Sequence, residues 1–412
     1  MPGAPVAIGL DEALNSDSFF ADPYSVYERL RNEAPVHWCE PWGQWVITRF
    51  ADVLAVNKDP KRFSSAGWET RFLSQLPLDA SSLPHMRRHY STRVLSMTDP
   101  PEHTRLRRLV VRSFTPRVLE AMRPSVEAIV EDLLERLDGA RRIDAIAQFA
   151  YPLPAIVIAN MLGAPTDARE QFMRWSRDVV NFVGTGHPDA DRARRTEQTL
   201  REFREFLMPI IRERQENPRE DLISVLASAD TDGERLTDDE LVSTCIVLLF
   251  AGHETTANLI GNGLLALLRH PDQLALLRSQ PDLTCTAVEE MLRYDSPVQR
   301  NRRLATEDVE IAGQRIRRGD AVLVFLGSAN RDPERFSDPD ALDITRTPNH
   351  HMAFGHGIHF CAGAALSRIE APIAIGALLE RFPNLRLAED FDERWHHNIT
   401  FRGLESLELR LD

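Results

Sequence analysis

At residues 354–363 the chain reads Phe-Gly-His-Gly-Ile-His-Phe-Cys-Ala-Gly, and an Ala-Ala-Leu run follows directly. The glycines allow tight turns, and the run predicts a helix that begins just after Cys361. The first N–H groups of a helix lack partners, and together with the helix dipole they favour an anion and lower the pKa of a thiol. A thiolate in such a place can be an axial ligand of haem iron.

Two other interpretations of this segment are open. A single cysteine is commonly a small buried apolar residue without chemistry of its own. A zinc site is the second alternative, because His and Cys are the usual zinc ligands. Its candidate ligands are His350, His351, His356, His359 and Cys361. No second cysteine or Cys-x-x-Cys pair lies nearby, which argues against zinc.

The pattern Phe-x-x-Gly-x-His-x-Cys-x-Gly resembles the haem-binding loop of the cytochrome P450 family. The resemblance implies that Cys361 is the axial ligand of haem b and that Gly363 lets the backbone approach the flat macrocycle closely. It also implies a mainly α fold with small β-sheets, the triangular prism of this family. Residues 1–412 are expected to form it as a single large domain, since the motifs below follow in the family's order.

The composition limits the possible partners. The chain has 412 residues and a net charge of −13, which argues against nucleic acid or an anionic membrane surface as the main partner. The cysteines lie far apart without a pairing pattern, as is typical of a reducing cytoplasm. They are Cys39, Cys245, Cys285 and Cys361. The N-terminus shows no targeting signal or spanning helix, so we expect a cytoplasmic monomer without a membrane anchor, similar to the soluble bacterial members of the family.

Periodicity and turn residues predict the order of elements. A hairpin is expected from strands at 36–38 and 45–48, and an irregular, functional or disordered loop at 64–97. Helices are predicted after Pro101 and at roughly 116–137, 165–183, 191–215 and 221–229. Short strands are predicted at 309–311, 314–316, 321–326 and 407–411.

The longest periodic element is a helix over residues 238–270. It opens with a capping box, Thr237-Asp238-Asp239-Glu240, and Pro271 ends it. Residues 245–251 are apolar on all sides, which predicts passage through the protein interior. The motif at 251–256, Ala-Gly-His-Glu-Thr-Thr, then places an acid and an alcohol where few charged residues belong.

Two interpretations of the motif at 251–256 are open. In the first, Glu254 and Thr255 are ordinary polar residues of a partly exposed helix. The motif also resembles the family's oxygen-activating helix, which implies that Thr255 and Glu254 are catalytic and manage O2 and its protons. Ala251 and Gly252 then leave room for a group pressed against the helix. His253 lies outside the family pattern and is expected to be structural.

Glu290 and Arg293 lie at i, i+3 on one helix face, an arrangement that is common on helix surfaces. The pair also resembles the Glu-x-x-Arg element of the family, in which a further arginine completes a buried network. By that resemblance the segment 333–336 makes Arg335 the expected partner, with Arg346 as the alternative. These residues are expected to brace the haem loop and to take no part in the chemistry.

Haem carries two propionates, which in a partly buried site need charged or polar donors. The residues that match the family's propionate-binding positions are His103, Arg107, Arg303 and His359. His103 and Arg107 are at i, i+4 on one helix, so both can reach one point. Arg300 and Arg302 compete with Arg303 for the role. The alternative for each arginine is a solvated surface position.

The resemblance implies a monooxygenase that inserts one oxygen atom of O2 into a C–H bond of a hydrophobic small molecule. Its substrate pocket is expected between the loop at 64–97 and the helices around 172–208. Further expected pocket residues are Leu248, Gly252, Val298, Thr400 and Phe401. The alternatives are a peroxide-dependent haem-thiolate peroxygenase and a non-catalytic haem gas sensor. The acid–alcohol pair argues against both.

Electrons are expected from a ferredoxin and its reductase, because the sequence contains no flavin-binding or iron–sulfur motif. Five arginines cluster on one short stretch near the expected haem: Arg105, Arg107, Arg108, Arg112 and Arg117. They are either a solvated basic face or a patch that steers an acidic ferredoxin.

Overall fold

The structure, a computed structural model, describes residues 8–67, 73–74, 76, 78–165, 168–184, 189–230 and 233–412. Its helices, in chain order, are α1 (Leu10–Leu14), α2 (Asp17–Ala21), α3 (Pro23–Glu33), α4 (Phe50–Lys58), α5 (Pro84–Ser91), α6 (Glu102–Val111), α7 (Pro116–Glu135), α8 (Pro152–Met161), α9 (Arg169–Val183), α10 (Ala190–Glu216), α11 (Leu222–Ser228), α12 (Asp238–Arg269), α13 (Pro271–Ser279), α14 (Thr284–Tyr294), α15 (Leu326–Ala329) and α16 (Ala364–Arg381). The chain is therefore mainly helical, as the resemblance implies.

The strands are β1 (Val36–Cys39), β2 (Gln44–Ile47), β3 (Phe63–Ser64), β4 (Arg142–Asp144), β5 (Arg300–Ala305), β6 (Val309–Ile311), β7 (Gln314–Ile316), β8 (Ala321–Phe325), β9 (Arg386–Leu387) and β10 (Glu408–Arg410). They form a five-stranded sheet in the order β1-β2-β8-β5-β3, a three-stranded sheet β4-β10-β9 and the hairpin β6-β7. Only β2 and β8 pair in parallel among these strands. The sheets are small, as predicted.

Helix α12 passes through the interior and packs against α8, α9, α10, α14 and α16. The predicted capping box is present: the Thr237 hydroxyl accepts the backbone N–H of Glu240, and the Glu240 carboxylate accepts the N–H of Thr237. The same carboxylate pairs with Arg105 of α6, which ties the start of α12 to a second helix. The capping box and the ion pair together hold the start of α12 in place.

Most predicted elements are confirmed, including the hairpin β1–β2, the helices after Pro101 and the strands β6 and β7. The prediction of an irregular stretch at 64–97 is wrong in part, since α5 lies within it, and some of its residues lie outside the described ones. Helix α8 was not predicted. It is apolar on nearly every side and mostly buried, so it lacks the polar face from which a helical period is recognised.

None of the helices in the described part of the chain combines the length and apolar character that a membrane crossing requires.

Candidate active site

The cysteine loop is held in place by backbone contacts. The N–H of Cys361 donates to the carbonyl of Phe354 at 3.0 Å, and α16 begins three residues later at Ala364. Gly357 has a φ of +73°, and a Cβ built on it would lie 2.3 Å from the carbonyl oxygen of Asn57. A larger residue would therefore push the loop away from α4.

Cys361 is exposed because its side chain faces a cavity of about 370 Å³. Burial within the loop raises the pKa of its thiol, while the backbone N–H groups of Gly363 and Ala364 and the guanidinium groups of Arg107 and Arg368 oppose that rise. The N–H groups at the start of α16 lower this pKa as expected, but burial outweighs them and the net direction is upward. Coordination to a cation would deprotonate the thiol.

The cavity lies between α12 and the cysteine loop. The predicted site residues that line it are Arg107, Leu248, Ala251, Gly252, Thr255, Val298, Arg303, His359, Cys361, Gly363 and Phe401. Ala251 and Gly252 present no long side chain on the helix side. At Gly363 an added Cβ would lie 4.0 Å from the sulfur of Cys361. A flat group in the space between α12 and the cysteine loop can therefore contact both.

One corner of the cavity gathers donors. His359 lines the cavity, and His103 lies against it outside the lining. The two rings are 4.4 Å apart edge to face, and the Nε2 atom of each is buried without a hydrogen-bond partner in the structure. Burial lowers the pKa of His359 to about 3, and the nearby Arg303, His103 and Arg107 add to this effect. Such a corner fits the carboxylates of haem, which would supply the missing acceptors.

Successive side chains of β5 point to opposite faces of the sheet, and this separates the three arginines that are candidates for binding a propionate. Asn301 and Arg303 point towards the cavity, and the Arg303 guanidinium donates to Asn57 Oδ1 at 3.1 Å. Arg300 and Arg302 point to the other face, where they donate to the carbonyls of Ile399 and Val183. Of the three, Arg303 is therefore the arginine that faces the cavity.

The zinc alternative is not supported by the positions of its candidate ligands. His351 Nε2 lies 3.0 Å from the carboxylate of Glu289. Across the described ranges, no group of three or more His, Cys, Asp or Glu residues is arranged to hold a metal ion.

Thr255 and Glu254 point in different directions, because neighbouring residues on a helix are about 100° apart. The Thr255 hydroxyl donates to the carbonyl of Ala251 at 2.8 Å and lines the cavity. Glu254 is 7% exposed and does not line the cavity, and Asn258 and Tyr151 lie near its carboxyl. Burial raises the pKa of Glu254 to about 7. Thr255 therefore faces the cavity, whereas Glu254 does not.

The Glu290–Arg293 pair is fully buried. Arg293 donates from Nε and Nη2 to the two carboxylate oxygens, each at 2.8 Å. Arg346 adds a third bond, from Nε to Glu290 Oε1 at 3.2 Å. Arg335 is exposed and lies over the ring of Phe50. The further arginine is thus Arg346, and the prediction of Arg335 is wrong because its side chain leaves the network for the surface.

The predicted pocket needs two further corrections. Among the described residues, none in 172–208 lines the cavity, and Thr400 does not line it either. The carbonyl of Thr400 accepts the N–H of Gln299, and its hydroxyl is buried away from the cavity. From the loop at 64–97, residues 94–96 reach the cavity.

Sequence reasoning missed Thr244 and Asn301, which add polar groups to the cavity wall. Thr244 lies 11 residues before Thr255, a spacing of about three helical turns. This signal could have placed it on the same face. Asn301 could have been found by counting two residues back from Arg303 on one strand.

Comparison with known proteins places the chain in a family. A family model described as Cytochrome P450 matches residues 75–282 and 277–390. Cytochrome P450 107B1 of Saccharopolyspora erythraea is 43% identical, with 96% of each chain covered. The 6-deoxyerythronolide B hydroxylase of the same organism is 41% identical, covering 97% of this chain and 98% of its own.

The fold agrees with this relationship. The structure of P450BioI in complex with an acyl carrier protein ligated to hexadec-9Z-enoic acid has a TM-score of 0.87 and is 38% identical, covering 96% of this chain and 99% of that one. The chain belongs to the cytochrome P450 family of haem-thiolate monooxygenases.

Proposed function

We propose that this monooxygenase oxidises a C–H bond of a neutral, hydrophobic small molecule bound in the cavity between α12 and the cysteine loop. The observation that carries the proposal is that Cys361 and Thr255 line one cavity whose remaining wall is largely apolar. Haem supplies the reductive activation of O2, and donation from the thiolate favours cleavage of the O–O bond.

The residues of the site have separate roles in this proposal. Cys361 is the axial ligand. Ala251 and Gly363 let the macrocycle lie close to the backbone on its two sides. The propionates are held by His103, Arg107, Arg303 and His359. The unpartnered ring nitrogens of the two histidines support this assignment.

Thr255 and Glu254 manage protons. The Thr255 hydroxyl sits at the cavity wall, where its oxygen can accept a hydrogen bond from water while its proton is donated to the carbonyl of Ala251. Glu254 has a pKa of about 7, so near neutral pH it can both give up a proton and take another. The pair favours O2-dependent chemistry over the peroxygenase and gas-sensor alternatives, neither of which needs proton delivery to O2.

The cavity lining supports a neutral apolar substrate. The charged groups that reach it, Arg107 and Arg303, lie on the side assigned to the propionates. The substrate side is formed by Leu248, Val298 and Phe401. One relative is named for hydroxylation of 6-deoxyerythronolide B, and another has been crystallised with an acyl chain on a carrier protein. We propose these two classes, macrolactones and acyl chains, as the first to screen.

Electrons come from a ferredoxin and its reductase in this proposal, within a reducing cytoplasm. The basic patch on α6 and the residues after it supports an acidic donor. In the structure, Arg105 pairs with Glu102 and Glu240. Arg108 and Arg112 are exposed, and Arg112 donates to the carbonyl of Asp230. Arg107 donates to the carbonyl of Phe360, next to Cys361, so the patch adjoins the thiolate loop.

The reduced protein with carbon monoxide tests the assignment of the ligand. We expect the red-shifted absorption band that a thiolate ligand gives, and its loss in Cys361→His with haem retained. Cys285→Ala, which alters another exposed cysteine, is the control. Retention of the band in Cys361→Ala would show that the axial assignment is wrong.

Titration with macrolactones and fatty acids then tests the substrate class, through the spectral shift that follows loss of the haem-bound water. Product should form with O2, ferredoxin and reductase. Product formation with hydrogen peroxide alone would favour the peroxygenase, and no product under either condition would favour the sensor.

A further inference from the structure

Thr244 is a polar residue of the cavity wall that the proposed function does not use. It lies on α12, is 5% exposed and lines the cavity. A threonine hydroxyl inside a helix commonly donates to the carbonyl four residues back, as Thr255 does to Ala251 at 2.8 Å. Within the described part of the chain, the Thr244 hydroxyl has no hydrogen-bond partner. This nearly buried group is therefore free to bond a molecule in the cavity.

Thr244 lies far along α12 from the alcohol that is assigned to proton management. Eleven residues separate Thr244 from Thr255, so the two lie about 16 Å apart along the helix and within about 20° of one face. Between them this face is formed by Val247, Leu248 and Ala251, which also line the cavity. A molecule that contacts both threonines is therefore elongated, and its middle part lies against an apolar stretch of wall.

In the described part of the cavity wall, the Thr244 end carries no cation. The arginines that line the cavity, Arg107 and Arg303, lie on the side assigned to the propionates. Ser243, next to Thr244, lies 3.2 Å by its hydroxyl from Nδ1 of His89. Burial lowers the pKa of His89 to about 4, so this ring is neutral near pH 7. A carboxylate at this end would be buried without a counter-charge, which is costly.

We propose that Thr244 is a specificity-determining residue whose hydroxyl hydrogen-bonds the neutral polar head of an elongated, chain-like substrate. The head is an ester, an amide or an alcohol, and the chain lies along the apolar stretch with its oxidised carbon near Thr255. The inference rests on the proposed function and chooses between its two substrate classes. A macrolactone carries oxygen atoms around its ring, which the apolar stretch would leave without hydrogen bonds, whereas a neutral acyl derivative has its polar group at one end.

Calorimetry with the haem-loaded protein near neutral pH tests the hydroxyl. The probes share one chain and differ in the head: methyl dodecanoate, dodecanamide and dodecanoate. Thr244→Val removes the hydroxyl and keeps the shape of the side chain, so the two neutral probes should bind about 2- to 10-fold more weakly, the effect of one hydrogen bond. Thr244→Ser keeps a hydroxyl and should keep their affinity. Ser243→Ala removes the neighbouring hydroxyl, which contacts His89, and should bind them as the wild-type protein does.

The same titrations test the charge of the head. The wild-type protein should bind the neutral probes at least about 10-fold more tightly than dodecanoate, because the carboxylate meets no cation at the Thr244 end. Product analysis adds a measurement that a merely structural role would not change. Thr244→Val should oxidise methyl dodecanoate at more carbon positions than the wild-type protein does, since the chain loses its anchor and can slide along the wall.

Four outcomes would overturn the proposal. They are equal affinity of Thr244→Val and the wild-type protein for the neutral probes, an equal loss of affinity for dodecanoate in that variant, equal wild-type affinity for the ester and the acid, and no binding of any probe. Product from a macrolactone when none of the probes binds would overturn this inference alone. Binding of the neutral probes without product from any compound would instead refute the proposed function.

Discussion

Arg293 donates a hydrogen bond to each carboxylate oxygen of Glu290 at 2.8 Å, and neither side chain has any exposed surface. The same carboxylate accepts Arg346, the amide of Asn349 and the backbone N–H of Asp343. One buried acid therefore joins α14 to the irregular chain that leads into the cysteine loop. The relationship is structural, and it explains how a loop without regular hydrogen bonding is held in place.

Glu290→Gln should destabilise the fold strongly. It leaves the buried charge of Arg293 and the half-buried charge of Arg346 without their partner, and removal of one member of a buried pair costs about 3–5 kcal/mol. Denaturant unfolding with haem bound would measure the loss. Arg335→Ala is the matched control, since Arg335 is exposed over Phe50 and its loss should cost less than about 1 kcal/mol. Equal losses in the two variants would contradict the network described here.

The difference between Arg335 and Arg346 illustrates what the sequence could predict. The Glu-x-x-Arg spacing identified the pair on α14 because i, i+3 residues share one helix face. The further arginine lies in irregular chain, where the position of a residue in the sequence does not indicate the direction in which its side chain points. Both candidates were therefore visible in the sequence, and only the path of residues 331–349 decides between them.

The acid–alcohol motif shows the same limit from within a helix. The sequence predicted that Glu254 and Thr255 lie in the middle of a buried helix. The cavity lies on the side of Thr255, and Glu254 does not line it, which the sequence motif alone does not reveal. The prediction that Thr400 lines the cavity was wrong because residues of irregular chain do not alternate between two faces. The direction of such a side chain therefore cannot be inferred from its position in the sequence.

Glu370 should make stability fall as the pH rises. It is fully buried in α16, and burial raises its pKa to about 8. The unfolded chain ionises this group from about pH 4.5, so between there and pH 8 the folded state binds more protons and the free energy of unfolding declines. Glu370→Gln should flatten that decline, with a gain of a few kcal/mol near pH 8. Unfolding at several pH values measures it. An unchanged slope in the variant would mean that Glu370 is already ionised in the fold over this pH range.

Thr255→Ala should separate electron use from product formation. The variant loses the hydroxyl at the cavity wall but no buried packing, so substrate should still bind and reducing equivalents should still be consumed. Hydrogen peroxide should replace most of the product, since proton delivery by a positioned group is worth about 100-fold or more. The measurement is product and peroxide formed per electron pair consumed. Thr256→Ala, whose hydroxyl lies 3.1 Å from that of Ser367, is the control for the neighbouring position. Unchanged coupling in Thr255→Ala would remove Thr255 from proton management.

Charge reversal at Arg108 or Arg112 should slow reduction by an acidic ferredoxin. Both side chains are exposed on or just after α6, and Arg107 of the same helix contacts the carbonyl next to Cys361. An acidic donor steered to this patch would approach the thiolate side of the haem. Stopped-flow reduction of Arg108→Glu and Arg112→Glu should show slower rates, most clearly at low salt, because screening weakens steering. Substrate affinity should stay the same. Arg315→Glu, in the hairpin β6–β7, controls for the change in net charge. Rates that respond neither to salt nor to the reversals on α6, or that fall equally in Arg315→Glu, would place the docking surface elsewhere.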